Sequence, residues 1–599
     1  MWDKQELEKR EKLRVLIVII IGVAVLLIGR LAWMQLIQGP QYKKTAESNR
    51  IRNITQTAPR GTIYDRNGNI LVANRPSFAV SIIPAEYNNA AEATPLLAAI
   101  TGLTEDEINA RLAKGQSKAY DPVRLKRDAD AAMLAKIQER KQYLPGVIIE
   151  AMPVRQYVYQ SLGAHVLGYL GSISDDEYER LKAQGYSPND VVGQSGLEER
   201  WEPNLRGVDG AVQIEVNVQG EEVARLGEKA AIPGSNLITT LDVNIQKAAE
   251  DALAAQVNRS RGSGEPAQGG CAVVLDVATG GVLALASTPA FDPNAFAAGI
   301  SNQAWQKLVT DSHNPLTNRA IQSEYPPGSV FKIVTASAAL DTGQTNADEV
   351  FWDKGVYVYQ GWSFYGWDTN GLGKLTLVDA LAWSSDPVFY ELGRRVGVDR
   401  LADYARTFGF GELSGIALSG EVAGIVPTIA WKQATYGEEW YAGETLIDAI
   451  GQGYYLATPL QQALLLMAVA NRGPVYRPRL VDQVVGPDGQ VKQAYSPELL
   501  RTVYLAPQHW AVLQQGLRQV VAAGTGAGVF KDFKPAIAGK SGSAETGRGT
   551  THSWFACYAP AEQPRIAVAV LIDEGGEGSA AAAPVVRAIL ERYFSLYGS

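Results

Sequence analysis

The sequence predicts an α+β protein of several domains: a single N-terminal transmembrane helix, an irregular α/β segment, and a domain whose five-stranded antiparallel sheet is flanked by helices. Three observations predict this fold class. An apolar run occupies residues 15–37, strand-like runs joined by short loops lie near 271–286 and 537–572, and a long, mostly helical insertion separates those runs. At 599 residues, the chain has room for several domains of about 100–200 residues each.

The apolar run at residues 15–37 contains one charged residue, Arg30, and follows a tail rich in lysine and arginine. A helix of this length crosses a hydrocarbon core about 30 Å thick, with Arg30 reaching the far interface beside Trp33. No small-x-small cleavage site follows, so we expect an uncleaved anchor with residues 1–14 in the cytoplasm. The alternative is a buried core helix. An anchor would place all residues beyond 38 outside the cytoplasm.

Residues 38–235 are predicted to form a pedestal domain. Asn67-Gly68 is a turn signal between the strand-like runs 62–64 and 70–72, which predicts a hairpin. The other recognisable segments are a polar, helix-rich insert at 87–142, Arg155-Gln156-Tyr157, Gly196-Leu197-Glu198 and Leu205-Arg206-Gly207. Because none of them supplies a nucleophile with a partnered base, we interpret this region as structural.

Residues 236–599 are predicted to form the second large domain. A strand at 236–240 leads into a helix at 244–256, and the last helix covers about 584–594. Strands joined by short loops pair antiparallel, which predicts one sheet from the runs 271–277, 282–286, 537–544, 554–559 and 566–572. The helical insertion lies between about 290 and 530.

Three short motifs in this domain carry the candidate chemistry. Ser329-Val330-Phe331-Lys332 follows Tyr325-Pro326-Pro327-Gly328, so Ser329 is expected at the amino terminus of a helix that runs to Leu340. Lys332 is one helical turn further on and therefore on the same face. An amine beside a serine acts as its base only if burial or a neighbouring cation lowers its pKa. The plainer interpretation is a capping serine followed by a surface lysine.

The other two motifs are Ser384-Ser385-Asp386 and Lys540-Ser541-Gly542. The first lies in a break between predicted helices at 376–383 and 388–396, where a loop can present a hydroxyl to a cleft. The second lies on a strand, whose alternation directs Lys540 and Gly542 to one face and Ser541 and Ser543 to the other. Each motif alone is weak evidence, since each also fits an ordinary turn or strand. The order and spacing of the set indicate acyl transfer.

Composition excludes one class of partner and leaves the cysteines undecided. The formal net charge is −8, and no basic stripe is present, so nucleic acid is not an expected partner. The four histidines show no metal-ligand spacing. Cys271 and Cys557 are interpreted as two small buried hydrophobic residues, although a single bridge between neighbouring strands stays open.

With these motifs the chain resembles a class B high-molecular-weight penicillin-binding protein along nearly its whole length. The flanking segments that carry the resemblance include Asp276-Val277-Ala278-Thr279-Gly280, Phe291-Asp292-Pro293-Asn294, Tyr325-Pro326-Pro327-Gly328 and Trp554-Phe555-Ala556-Cys557-Tyr558-Ala559-Pro560. Most family members have asparagine where this chain has Asp386. That variant is similar to the penicillin-binding protein 2 branch, which serves side-wall elongation.

The resemblance implies a transpeptidase domain with the serine β-lactamase-like fold and a peptidoglycan D,D-transpeptidase that β-lactams acylate and inhibit. The implied roles are Ser329 as nucleophile, Lys332 as its base, Ser384 as proton relay, Asp386 as a residue that orders the cleft, Lys540 and Ser541 as the carboxylate site, and the N–H groups of Ser329 and Ser543 as the oxyanion hole. Gly542 lets a substrate backbone approach the strand. No cofactor is implied. Some relatives hold a metal near the second motif, but residues 367–374 contain no histidine here, so none is expected.

The resemblance also implies partners and a location. The partners are peptidoglycan stem peptides, β-lactams and a SEDS-type, RodA-like membrane glycan polymerase that contacts the anchor and the pedestal. The location is the bacterial cytoplasmic membrane. Three other functions are possible for such a chain. A β-lactamase would need a water-activating group and has no use for an anchor, and a β-lactam sensor would need a larger cytoplasmic part. A scaffold would bind and activate the polymerase. The resemblance implies that the scaffold and enzyme roles coexist.

Overall fold

A computed structural model describes residues 2–43, 51–115, 120–216 and 222–598. Residues 44–50, 116–119 and 217–221, which fall within the predicted pedestal, lie outside the described residues, as do both terminal residues. The chain divides into two compact units. The first consists of Met1–Ala58 and Val208–Ile232, and the second of Pro59–Gly207 and Pro233–Ser599.

The first unit contains the apolar helix. An α-helix over Trp2–Ala32 continues into a π-helical turn over Trp33–Ile37. The span Glu6–Ile37 is long and apolar enough to cross a membrane, and its apolar 18-residue window has a mean hydropathy of 2.9 and no buried residue. The same unit contains a three-stranded antiparallel sheet in the order Ile51–Gln56, Gly210–Val216, Glu222–Lys229.

A mixed seven-stranded sheet in the second unit joins the predicted pedestal to the domain that follows it. Its order is Val491–Ala494, Val481–Val485, Asn236–Thr239, Ile63–Tyr64, Ile70–Ile82 and Val123–Lys126, with Val147–Tyr157 also paired to Ile70–Ile82. The predicted hairpin is confirmed, since Ile63 pairs with Val72 and Tyr64 with Ile70. The predicted strand at 236–240 lies in this sheet, parallel to Ile63–Tyr64.

Short helices surround the pedestal part of this sheet. They comprise Ala90–Thr101, Glu105–Gly115, Ala131–Glu139, Ala164–Leu167, Asp175–Leu181, Gly196–Arg200 and Glu202–Leu205, with a two-stranded ribbon of Leu170–Ser172 and Val191–Gly193. The first three confirm that the polar insert is helix-rich. Glu198 is fully buried between Arg60 and Arg155, which ties three distant pedestal segments together.

The central sheet has the five antiparallel strands that the sequence predicts. Their order is Val282–Thr288, Gly269–Asp276, Ile566–Asp573, Thr551–Ala559 and Ala538–Glu545, which places the third motif on an edge strand. Helices Val243–Gly262 and Ala582–Tyr597 cover one face, and Pro459–Asn471 packs on the other. Side chains alternate between the two cores, as strand geometry requires.

The remaining elements form the predicted helical insertion between the second and third strands of this sheet in the sequence. Its helices are Asn294–Ala297, Asn302–Val309, Arg319–Gln322, Lys332–Asp341, Leu377–Ala382, Asp386–Val396, Val398–Phe408, Ile429–Tyr436, Ala442–Ala449, Pro459–Asn471, Pro507–Ala522 and Ala527–Phe530. Its two-stranded ribbons pair Phe351–Asp353 with Gly373–Leu375, Val356–Tyr359 with Trp362–Tyr365, and Pro474–Tyr476 with Leu499–Thr502.

Both cysteines are buried free thiols. Cys271 packs into the core on one face of the central sheet, and Cys557 packs into the core on the other. Their strands are not neighbours, because Ile566–Asp573 lies between them. The bridge that the sequence left open is therefore not formed, and the interpretation as two buried hydrophobic residues holds.

Candidate active site

The first motif begins in a tight turn. Gly328 has a φ of +56°, and its N–H donates to the carbonyl of Gly451 at 2.8 Å. Gly328–Phe331 is a 3₁₀ turn, and the α-helix, named here the nucleophile helix, covers Lys332–Asp341. The sequence predicted one helix from Ser329 onward. The difference is local, since 3₁₀ turns are common where an α-helix starts.

The second motif connects two capped helices. A capping box of Thr376 and Asp379 starts the helix Leu377–Ala382. Ser384 then adopts a φ of +56°, and the Ser385 side chain accepts the N–H of Val388 as the cap of the helix Asp386–Val396. A left-handed backbone at a residue other than glycine costs of order 1–3 kcal/mol and persists only where the surroundings enforce it.

The third motif passes directly beside the first. A Cβ added at Gly542 would lie 3.4 Å from the backbone nitrogen of Ser329 and 3.3 Å from Val330 Cγ2. On the same edge, a Cβ added at Gly328 would lie 3.2 Å from the carbonyl oxygen of Ser543. The strand Ala538–Glu545 and the nucleophile turn are therefore in close contact, and only a residue without a side chain fits comfortably at 542.

Lys332 is fully buried and faces the second motif. Its Nζ donates to the carbonyl oxygen of Ser384 at 2.8 Å, to Ser384 Oγ at 3.2 Å and to Asp386 Oδ1 at 2.6 Å. Burial lowers the pKa of Lys332, and the Asp386 carboxylate opposes that shift, with a net lowering from the usual value. A surface lysine, the plainer interpretation of the sequence, is excluded by this burial.

Lys540 approaches the same hydroxyl from the strand. It is also fully buried, and its Nζ donates to Ser384 Oγ at 2.9 Å and to the carbonyl of Ser541 at 2.8 Å. Burial and the nearby charge of Lys332 place the pKa of Lys540 well below its ordinary range. Ser384 Oγ thus lies between two amines whose pKa values are both lowered, which is the arrangement expected for moving a proton.

The third-motif serines have other partners. Ser541 Oγ shares a hydrogen bond of 2.6 Å with Thr525 Oγ1, and Ser543 Oγ accepts the N–H of Gly578 at 3.1 Å. Neither side chain contacts the Ser384 hydroxyl, as the alternation along the strand predicted. Within the part of the chain that the structure describes, the half-buried Ser329 hydroxyl has no hydrogen-bond partner.

Sequence reasoning missed two contributors. The backbone N–H of Trp367 donates to Asp386 Oδ2 at 3.2 Å, and Asp353 Oδ2 accepts the Ser385 hydroxyl at 2.6 Å. Trp367 begins the stretch 367–374, for which the sequence predicted only that no metal is bound. For Asp353, the only signal was a lone aspartate in a short apolar strand. Among the described residues, no three histidine, cysteine, aspartate or glutamate side chains are grouped so that they could hold a metal ion.

Two family models match the chain. The penicillin binding protein transpeptidase domain matches residues 270–591, and the penicillin-binding protein dimerisation domain matches residues 55–239. The peptidoglycan D,D-transpeptidase MrdA of Haemophilus influenzae is 32% identical over 588 residues, which cover 94% of this chain and 88% of that protein.

Solved structures agree with this similarity in fold. A complex between penicillin-binding protein 2 and MreC from Helicobacter pylori has a TM-score of 0.78 at 25% identity and covers 91% of this chain and 99% of that one. A peptidoglycan synthase complex, whose structure concerns the coordination of polymerization and crosslinking, has a TM-score of 0.72 at 33% identity and covers 97% and 98%.

Proposed function

The chain belongs to the penicillin-binding protein transpeptidase family and is a peptidoglycan D,D-transpeptidase of cell-wall elongation, and we propose that Ser329 is the nucleophile of its acyl-enzyme. The observation that carries this assignment is the contact between three motifs that are distant in the sequence. Ser329 lies one turn before the buried Lys332, beside the strand of Lys540, and both amines donate to Ser384 Oγ.

The reaction then proceeds through two acyl transfers. Ser329 Oγ attacks the carbonyl carbon of the D-Ala-D-Ala amide as its proton passes to the neutral amine of Lys332. Ser384 relays a proton to the departing D-alanine nitrogen, and the C–N bond breaks. An amine of a second stem peptide then attacks the ester carbonyl carbon, and the bond to Ser329 Oγ breaks. This step forms the cross-link, and the proton that the amine loses restores the Ser329 hydroxyl.

Backbone geometry supports the proposed oxyanion hole. The carbonyl of Ser543 faces the nucleophile turn. The N–H and C=O groups of one strand residue point to the same side, so the Ser543 N–H faces this turn as well. Together with the Ser329 N–H it would donate to the oxygen on which charge develops in the transition state.

Lys540 and Ser541 form the proposed site for the terminal carboxylate of the donor peptide. Lys540 would supply positive charge there, because the carboxylate of a bound donor raises the lowered pKa of its amine. Ser541 would supply its hydroxyl after that group turns from Thr525 toward the donor. Asp386 would order the cleft through its bonds to Lys332 and to the Trp367 backbone.

The acyl-enzyme assignment is tested by locating the adduct after benzylpenicillin treatment with mass spectrometry of proteolytic peptides. We expect the adduct on Ser329, and we expect Ser329→Ala to abolish labelling by a fluorescent penicillin. Ser337→Ala is a matched control, because among the described residues the only hydrogen bond of this buried hydroxyl on the nucleophile helix is the one it donates to the Ile333 carbonyl. Labelling that survives in Ser329→Ala would show that the nucleophile is wrongly assigned.

A second role concerns the anchor and pedestal. The chain has an N-terminal helix suited to a single-pass anchor, and we infer that residues 1–14 are cytoplasmic, that 38–235 form the pedestal and that 236–599 form the transpeptidase domain. The structural relatives occur in complexes with MreC and in a peptidoglycan synthase. We propose that a SEDS-type, RodA-like polymerase contacts the anchor and pedestal of this chain.

The partner proposal has its own measurement. Co-purification with the polymerase and its glycan synthesis rate should be retained in Ser329→Ala and lost when residues 15–37 are replaced by an unrelated apolar helix. Equal polymerase stimulation by the helix-replaced chain would contradict a role for the anchor, without affecting the acyl-enzyme assignment.

A further inference from the structure

Asp353 is a buried carboxylate next to the second motif. It ends the strand Phe351–Asp353 and is 3% exposed. Its Oδ2 accepts the Ser385 hydroxyl at 2.6 Å, and its Oδ1 accepts the backbone N–H of Gly355 at 2.7 Å. Both oxygens are therefore used, and the side chain has a fixed orientation. A buried carboxylate is retained only when such partners compensate for its lost hydration.

The Ser385 hydroxyl transmits this position to the second motif. While donating to Asp353, it accepts the N–H of Val388 and so caps the helix Asp386–Val396. Ser385 lies between the two residues that bind the Lys332 amine, Ser384 and Asp386. A constraint on Ser385 is thus a constraint on the left-handed backbone of Ser384.

Asp353 also acts on Lys332 through charge. Burial lowers the pKa of Lys332, and the carboxylates of Asp386 and, at longer range, Asp353 raise it. The third charged group at this amine is Lys540, whose own pKa the Lys332 charge depresses. Of Asp386, Lys540 and Asp353, only Asp353 forms no hydrogen bond with Lys332 or Ser384 among the described residues.

We propose that Asp353 is a positioning residue for acyl transfer, which fixes Ser384 through Ser385 and places a second negative charge, in addition to Asp386, near the Lys332 amine. The inference rests on the proposed roles of Lys332 and Ser384. A merely structural carboxylate would affect folding and the overall rate, whereas a charge that acts on the base changes how the rate depends on pH. The two roles therefore differ in a measurable way.

The test measures the acylation rate of the full-length, detergent-solubilised protein by benzylpenicillin between pH 5 and 10. Asp353→Asn keeps an acceptor for Ser385, removes the charge and gives up the acceptor for the Gly355 N–H. We expect the acid limb of the Asp353→Asn profile to lie at lower pH than that of the wild type. At one pH unit below the wild-type midpoint, the acylation rate divided by its plateau value should be about threefold or more higher in the variant than in the wild type. Asp368→Asn is the matched control in the same segment, since within the described ranges its carboxylate accepts a hydrogen bond from the N–H of Asn370 alone.

A second pair of variants tests the hydrogen bond. Ser385→Ala should slow acylation about tenfold or more, and Ser385→Thr, which keeps the hydroxyl, should restore most of the rate. If Asp353→Asn fails to give a cooperative melting transition, the comparison of Ser385→Ala with Ser385→Thr tests the proposal by itself. A pH profile of Asp353→Asn that superimposes on wild type, or a wild-type rate in Ser385→Ala, would overturn the proposal. Neither result depends on which serine is acylated, so failure here is distinct from failure of the Ser329 assignment.

Discussion

The Nζ of Lys332 and Oδ1 of Asp386 form a 2.6 Å ion pair in which the lysine is fully buried and the aspartate is 14% exposed. The pair joins the nucleophile helix to the second motif. It also places two opposing influences on one amine, because burial favours the neutral form and the carboxylate favours the cation. The balance decides at which pH Lys332 can accept a proton.

Asp386→Asn should move the acid limb of the acylation profile to lower pH. Without the Asp386 carboxylate, the more distant Asp353 alone opposes the lowering of the Lys332 pKa by burial, so the neutral base forms at a lower pH. The measurement is the rate of benzylpenicillin acylation against pH. Asp379→Asn, a helix-capping carboxylate four residues before Trp383, serves as the control and should leave the profile in place. A shift of the Asp386→Asn limb to higher pH would contradict this account.

Replacement of Ser384 should remove acylation and reveal the strain of its left-handed backbone. Ser384→Ala and Ser384→Gly both remove the hydroxyl that two lysines bind, so both should lose acylation by about 10²-fold or more. The glycine variant also relieves the φ of +56°. We therefore expect Ser384→Gly to be about 0.5–1 kcal/mol more stable than Ser384→Ala in thermal melts. Equal or lower stability of the glycine variant would show that this backbone is unstrained.

The cysteines should behave as two buried thiols. Burial raises the pKa of both Cys271 and Cys557 beyond the range in which thiolates react at neutral pH. Alkylation followed by mass spectrometry should modify neither in the native protein and both in guanidinium, and a reductant should leave the melting temperature unchanged. A peptide pair linked through Cys271 and Cys557 would contradict the structure.

Removal of the buried charge of Glu198 should destabilise the pedestal. Burial alone raises the pKa of Glu198, but Arg155 and Arg60 lower it below the ordinary value, so the carboxylate is ionised. Glu198→Gln removes the anion that pairs with the buried Arg155 guanidinium, while Arg60 keeps Glu202, and should cost about 3–5 kcal/mol. Thermal melts of the solubilised full-length chain measure this loss.

The control for Glu198 is the exposed pair of Lys247 and Asp251 on one helix face. Asp251→Asn should change stability by no more than about 0.5 kcal/mol, since exposed ion pairs contribute little. Equal melting temperatures for Glu198→Gln and Asp251→Asn would show that the pedestal does not depend on its buried carboxylate.

Much of the local structure follows from neighbouring residues. Prolines and Gly328 before Ser329, the cap of Thr376 and Asp379, and the turn at Asn67-Gly68 act within a few positions of the chain, so their effects can be predicted from the sequence. The five strands of the central sheet were equally predictable, because strands joined by short loops can pair antiparallel, whereas parallel pairing needs a long crossover connection. The order of the three motifs was enough to recognise the family.

Only the tertiary structure decides which atoms share a proton. Lys540 meets the Ser384 hydroxyl across 156 residues, and Asp353 meets Ser385 across 32, in contacts that depend on how helices and strands pack rather than on local preference. The same holds for the strand at Asn236, which pairs in the mixed sheet, and for the separate cores that enclose Cys271 and Cys557. Side-chain burial, and with it every shifted pKa in the site, arises when those elements exclude water together.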